Sequence, residues 1–414
     1  MKRGQHILFF TAYYTTPDEP GLLRSWQVAN HLAGRGHRVT VVTTGTNYMT
    51  GKTSKAACRL WTVEEHGERL RVIRVWTPGD YRRSILGRLL YSLGLAVLGF
   101  AVGLGVDHPD VVLGATPPPT VPPFALLLAR LRGARFVEEV RDMQTEDALE
   151  MGYLREGTMV RWHLALEQWA YRGANAIVAV TPGIKKIIAA KGIPEGKITV
   201  VPNGYEEVLF EDDTSPLNRE ALGWREYFVV LYSGSMGQTV DLWTLFGAAK
   251  LLREERKMLF VLLGDGERRG AYEKFCRDEG VNACFLGALS RKKVTDYCRC
   301  ADVGVSLHGK GKLWDHVLGN KTFDYLGSGL PMVYAGSGDT DDLLRQSRGG
   351  ISVPAEDPEA LRDALLEMAG SPERCREMGR EGQAFVREHF ARRGLLEDLE
   401  QVLLSCVGIQ KGDC

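Results

Sequence analysis

The run Asn320-Lys321-Thr322-Phe323-Asp324 places a helix-capping amide, a cation, a hydroxyl and a carboxylate within five residues. Asn320 suits an N-cap, which predicts a helix starting at Lys321. The free amides of that helix start, its dipole and the Lys321 ammonium would together attract an anion such as a diphosphate. Asp324 falls in the first turn, where its carboxylate can accept two hydrogen bonds from the adjacent hydroxyls of a ribose. Gly327 and Gly329 permit a turn into an apolar run at Met332. The same residues also suit an ordinary helix start with solvated charges, and the segment alone leaves both readings open.

Other chemistries lack their residues. A nicotinamide site wants Gly-x-Gly-x-x-Gly after the first strand and an acidic residue ending the second. The first apolar run continues instead into Thr11-Ala12-Tyr13-Tyr14, and the second ends Val41-Val42-Thr43-Thr44. No Walker A sequence occurs, and Gly264-Asp265-Gly266 is too short to be a phosphate loop by itself. The eight cysteines form no Cys-x-x-Cys pair, and the N-terminal half holds only Cys58, so reduced thiols in a cytoplasmic protein are expected rather than zinc ligands or disulfides. Lys and Arg number 52 against 52 Asp and Glu, so net charge gives nucleic acid no long-range attraction.

The elements that must position these residues follow from the alternation of short β-rich runs with helical stretches. Strands are predicted at His6–Phe10, Val39–Thr43, Leu70–Trp76, Val111–Ala115, Phe136–Val140, Ala176–Val180 and Ile198–Val201. Between the first two, Leu22, Trp26, Ala29 and Ala33 recur at helical spacing, and Gly34 and Gly36 end that helix. Glu206–Pro216 is acidic and turn-rich and is expected to link two domains. A second set follows at Phe228–Ser233, Leu259–Leu263, Cys284–Leu286, Val303–Leu307, Met332–Tyr334 and Ile351–Val353, and helices from Asp357 to about Val407 close the chain. The fold class is α/β, with two Rossmann-like domains of parallel sheet, and 44% hydrophobic residues in a 414-residue chain suffice for two cores. Ligands of such domains bind at the carboxyl ends of the strands.

In that order along the chain the motifs resemble the retaining family 4 glycosyltransferases of GT-B fold. Within them they resemble the bacterial N-acetyl-L-fucosamine transferases of surface-polysaccharide assembly. Those carry Ser-Lys-x-x-Glu-Tyr-hydrophobic-Ala-x-Gly-x-Pro where this chain has Asn320 to Pro331. Pro20-Gly21 with Arg35-Gly36-His37-Arg38-Val39, Glu139-Val140-Arg141-Asp142, Thr181-Pro182-Gly183-Ile184 and Val201-Pro202-Asn203-Gly204 match the first domain. Tyr232-Ser233-Gly234-Ser235-Met236-Gly237, Leu263-Gly264-Asp265-Gly266 and Phe285-Leu286-Gly287 match the second. Two departures stand out. Of the two glutamates that many members place with seven residues between them, the first position holds His316 and the second Asp324. The Arg and Lys that many members carry after the first strand of the second domain are absent from Ser235-Met236-Gly237-Gln238-Thr239.

The resemblance implies residues 1–205 as an acceptor-side domain, 206–390 as the donor domain and 391–414 as a helix returning toward the first, with the sheets facing a central cleft. It implies a nucleoside-diphosphate sugar donor, with UDP the expected carrier, and a glycan or polyprenyl-linked acceptor. Retention is implied, with no metal and no cofactor. The donor would meet Gly21, Ser235, Gly237, Asp265, Gly287, Lys312, Asn320, Lys321, Thr322 and Asp324. Asp142 would orient or deprotonate the acceptor hydroxyl, with Arg141 holding Asp142 or an acceptor phosphate; a structural Arg–Asp pair is the plainer reading, and Glu138 and Glu139 are further candidates. A sugar-nucleotide epimerase or hydrolase, or a non-catalytic binding protein, would share the same cleft. Asp339-Thr340-Asp341 has the spacing of a metal motif from another glycosyltransferase fold, but its setting predicts a capped surface helix.

Leu89–Val106 is free of charge for 18 residues and follows Arg82, Arg83 and Arg88. A membrane span, a core helix packed through Gly94, Gly99 and Gly103, and a helix dipping one face into an anionic membrane surface all fit that composition. Predicted strands of one sheet lie on both sides of it, which argues against spanning. The resulting expectation is a cytoplasmic protein, peripheral on the membrane if this helix touches lipid.

Overall fold

Val, Ile, Leu and Phe fill the short runs that become strands, and the inner strands of each sheet are buried along nearly their whole length, as parallel sheets between helices require, while the edge strands are only partly covered. The computed structural model describes residues 4–17, 19, 22–47, 59–78, 85–210, 217–237, 240–255 and 257–408. The chain divides into two compact units: residues 1–202 with 395–414, and residues 203–394.

In the first unit the strands are β1 (His6–Phe10), β2 (Arg38–Thr44), β3 (Trp61–His66), β4 (Leu70–Val75), β5 (Val111–Ala115), β6 (Arg135–Val140), β7 (Ala176–Ala179) and β8 (Ile198–Val200). They form one sheet in the order β3-β4-β2-β1-β5-β6-β7-β8, parallel except for β3 against β4. The β3 hairpin is absent from the sequence-based assignment. Its residues are mostly exposed, so it carries no core alternation, and only the positive φ of Gly67 marks its turn. The helices are α1 (Arg24–Gly34), α2 (Ile85–Leu104), α3 (Val121–Arg132), α4 (Gln144–Glu150), α5 (Thr158–Gly173) and α6 (Pro182–Ala190). On α1 the buried face is Val28, Ala29 and Leu32, rotated from the predicted stripe, because Leu22 and Trp26 turn partly to solvent. Glycines 99 and 103 of α2 let it lie on Phe10 and Leu128, so its inner face belongs to the core.

The second unit holds β9 (Phe228–Ser233), β10 (Met258–Leu263), β11 (Ala283–Gly287), β12 (Val303–Leu307), β13 (Met332–Ala335) and β14 (Gly350–Val353). All are parallel, in the order β11-β10-β9-β12-β13-β14. Strand order therefore reverses between β9 and β12 here and between β1 and β5 in the first unit, the positions where doubly wound sheets bind ligands. Helices α7 (Leu242–Leu251), α8 (Arg269–Glu279), α9 (Arg291–Cys300), α10 (Asn320–Gly327), α11 (Asp339–Ser347), α12 (Pro358–Gly370) and α13 (Pro372–His389) cover the sheet. Helix α14 (Arg392–Gly408) then carries the chain back into the first unit, burying Leu395, Leu399 and Leu403 against Val28, Leu32 and Val41.

Glu206 corrects the linker expectation. It is 4% exposed and ion-paired to Arg291 and to Arg392 at 3.2 Å, which fastens this stretch into the second unit; residues 211–216 lie outside the described residues. Asp339 and Asp341 open α11 after Gly338, with no side-chain cap. Asp341 pairs with Arg345 at 3.1 Å, and Asp339 is buried rather than on a surface helix, because its amide is tied to the Asp315 carbonyl.

Candidate active site

In the second unit, three loops at the carboxyl ends of β9, β10 and β11 are laced by backbone hydrogen bonds. Gly234 donates to Leu263, Met236 to Asp265 and Gly264 to Gly287, at 2.9, 3.0 and 2.8 Å. A Cβ on Gly264 would sit 1.8 Å from the Gly234 carbonyl oxygen, and one on Gly266 would sit 2.5 Å from the Met236 carbonyl carbon. Glycine is thus required at both positions by close backbone approach, and at Gly264 also by its φ of 141°. Ser235 and Asp265 are exposed on these loops, where Ser235 Oγ accepts from the Gly237 amide and Asp265 Oδ1 from the Gly266 amide.

Lys321 comes over this floor from α10. Its Nζ lies 4.5 Å from the centre of the Tyr232 ring and 3.1 Å from where a Gly234 Cβ would be. Burial pushes its pKa down to about 8, because no carboxylate compensates the lost hydration. Tyr232 is fixed in turn by its hydroxyl, which donates to the Ser235 carbonyl at 2.6 Å. His308, just past β12, is stacked on Trp314 with ring centres 5.0 Å apart and is hydrogen-bonded to Tyr334. Burial, and next the nearby Lys321 charge, push its pKa down to about 3, so it is neutral at physiological pH. A cation short of water, above glycine amides at the strand-order reversal, is suited to a diphosphate.

Helix α10 departs from the sequence expectation in three ways. Its first residue is Asn320; Gly319, in extended conformation, occupies the N-cap, and no side chain caps the first turn. Thr322 is 1% exposed, with its side chain turned into the protein. Asp324 is also buried and accepts from Arg291 Nη2 at 2.6 Å, while the same guanidinium pairs with Glu206. Asp324 thus ends an internal ion network in place of the open ribose acceptor expected of it. Burial raises its carboxyl pKa, and Arg291 opposes that. Lys312 is exposed at the start of the 3-10 turn Lys312–Trp314, and Gly21 lies outside the described residues. A cavity of about 500 Å³ opens among Phe228, Met258, Pro331 and Leu366 at the amino ends of these strands, the edge opposite Lys321.

In the first unit the polar cluster at the β1/β5 reversal is built around Glu139. Its Oε1 accepts from Arg24 Nε at 2.8 Å and its Oε2 from Arg141 Nε at 2.9 Å. Arg24 also donates to the carbonyls of Val201 and Pro202, and Arg141 to Ser25 Oγ. Burial alone would raise the Glu139 pKa, but Arg141 and Arg24 hold it down to about 2. Arg141 pairs with Glu139, and Asp142 is exposed in the loop before α4. Glu138 points to the other face of the sheet, fully buried, and neither carboxylate oxygen has a hydrogen-bond partner among the described residues. Arg24 and Arg291 escaped sequence reasoning, since neither stands in a motif; Glu139 was legible only as part of Glu-Val-Arg-Asp.

Two doubly wound units, one with a diphosphate-suited cation at its strand-order reversal, define a two-domain enzyme of nucleotide-sugar chemistry. The chain belongs to the GT-B glycosyltransferases: residues 23–204 match the glycosyl transferase 4-like domain and residues 227–371 match the glycosyl transferases group 1. It is 25% identical over 367 residues to the Escherichia coli (strain K12) protein named "Putative colanic acid biosynthesis glycosyl transferase WcaI", covering 82% of this chain and 87% of that one. Sucrose-phosphate synthase from Thermosynechococcus elongatus shares the fold, with a TM-score of 0.75 at 16% identity over 97% of this chain and 98% of that chain. So does Anabaena Alr3699/HepE, solved in complex with UDP, with a TM-score of 0.72 at 15% identity over 97% and 100%.

Proposed function

We propose that this glycosyltransferase moves a hexosyl or N-acetylhexosaminyl group from a UDP-sugar to a glycan or polyprenyl-linked acceptor in surface-polysaccharide assembly, with retention and without a metal ion. Lys321 carries the reading: a poorly hydrated cation over glycine amides is suited to the charge that develops on a departing diphosphate. The UDP bound to the Anabaena neighbour supports the choice of base, and the name of the Escherichia coli relative supports the pathway class.

In this reading the glycosidic C–O bond breaks toward the diphosphate, and the acceptor oxygen attacks from the face the diphosphate leaves. The acceptor proton passes to Asp142 or to the departing phosphate. Uncapped α10 amides and Lys321 take up the leaving charge. Calorimetric titration with UDP, GDP and ADP tests the donor site: saturable binding of UDP is expected, and binding of none removes the reading. The anomeric configuration of the product, read by NMR with and without EDTA, tests retention and metal independence.

A further inference from the structure

The outward stripe of α2 is apolar from Leu89 to Leu104. Leu89, Leu93, Val97 and Leu104 are each 38–50% exposed, over about 22 Å of helix. The opposite side is committed to the core through Tyr91, Leu95 and Ala96, so the helix is anchored in its unit with its outer face bare. Helix α3 packs beside it, with Phe100 and Phe124 edge to face at 6.1 Å, and adds the exposed Leu127 and Leu131. Helix α5 lies next to α3, where Arg130 sits over the Trp169 ring at 5.0 Å. It contributes Met159 and Trp162, which are 77% and 70% exposed. Scattered apolar residues are normal on a surface, but large exposed apolar side chains gathered on three adjacent helices mark a contact.

Charge selects the partner. The three helices carry five arginines and a single carboxylate, Glu167, which is buried against Lys191. Arg88, Arg130, Arg161 and Arg172 are exposed among the apolar residues, in a chain whose charges balance overall. Self-association through this face would set arginine against arginine, since a two-fold contact pairs a patch with itself. Spanning would strip α2 from the core that its glycines fit. We propose that this three-helix face docks on an anionic phospholipid bilayer, with the α2 stripe and Trp162 at the acyl boundary and the arginines among the headgroups. The proposal rests on this surface alone and does not depend on the transferase reading.

The test is flotation of the full-length protein with vesicles of phosphatidylcholine, pure or mixed with phosphatidylglycerol. Binding to the mixed vesicles alone is expected, weakening as salt rises. The double variant Leu93→Asp/Val97→Asp should lose roughly tenfold or more of that binding while keeping its melting temperature. Should that variant misfold, brominated lipid should quench the wild-type tryptophan fluorescence, and Trp162→Phe should remove most of the quenching. No flotation of the wild type at low salt overturns the proposal. So does a folded double variant that floats as well as the wild type, or one whose only change is dissociation of a dimer in sedimentation, which would assign the face to a second copy.

Discussion

Lys321 and Glu139 show two opposite ways of handling a buried charge. Lys321 lies over a ring face and backbone, and in the proposed reading its charge is matched by the donor diphosphate. Replacing it with Met should weaken nucleoside diphosphate binding by about 1.5–3 kcal/mol, measured by calorimetry. In the wild type the free ammonium deprotonates as pH rises through about 8, so affinity should fall from pH 7 to 9 with net proton uptake on binding. The Met variant should show neither change. Glu139 is satisfied from both sides by Arg24 and Arg141, and Glu139→Gln should cost roughly 3–5 kcal/mol of folding stability in urea titration because it leaves guanidinium charge unmatched in the interior. Exposed Asp142 should behave differently: Asp142→Asn should leave the melting temperature unchanged while lowering turnover by about 10²–10⁴-fold if it handles the acceptor proton.

At the level of elements, α14 is held to the first unit by more than its leucines. Glu400 reaches back to His31 at 3.0 Å, Arg35 at 3.2 Å and His37 at 3.3 Å. Burial works against the carboxylate, but these three partners win and hold its pKa below the ordinary carboxylate value. The depressed value fixes the sign. The stabilisation is complete above the unfolded carboxylate pKa and is lost as pH falls through the lower folded one. Glu400→Gln should therefore lower stability by about 1–3 kcal/mol at pH 7, with a difference that shrinks in acid, followed by thermal melts across pH.

For the whole molecule, two units with separate cores predict more than one unfolding transition. The chain enters the second unit at Asn203 and re-enters the first at Leu395. Ending it after Gly394 removes Leu395, Leu399 and Leu403 from the first unit's core, at about 1.5–3 kcal/mol for each buried side chain. Differential scanning calorimetry should then show the first unit's transition shifted down, and the second unit's transition unmoved and still raised by UDP.

The sequence by itself determined the strands that are buried on both faces, because a parallel sheet between helices imposes continuous apolar runs that nothing else in the chain imitates. It also picked out Lys321 and the glycine loops, since helix starts and close backbone approach restrict residue type locally. It missed β3, whose exposed residues lack a buried period, and it set the N-cap one residue late because Gly319 took the extended position ahead of Asn320. Only tertiary structure decided the ion pairs. Arg24 with Glu139 spans 115 positions and Arg291 with Asp324 spans 33. A charge's partner is chosen by which elements pack together, and no local spacing records that choice. For the same reason Asp324 turned inward to a guanidinium, and exposed apolar residues from three separate helices came to lie on adjacent elements.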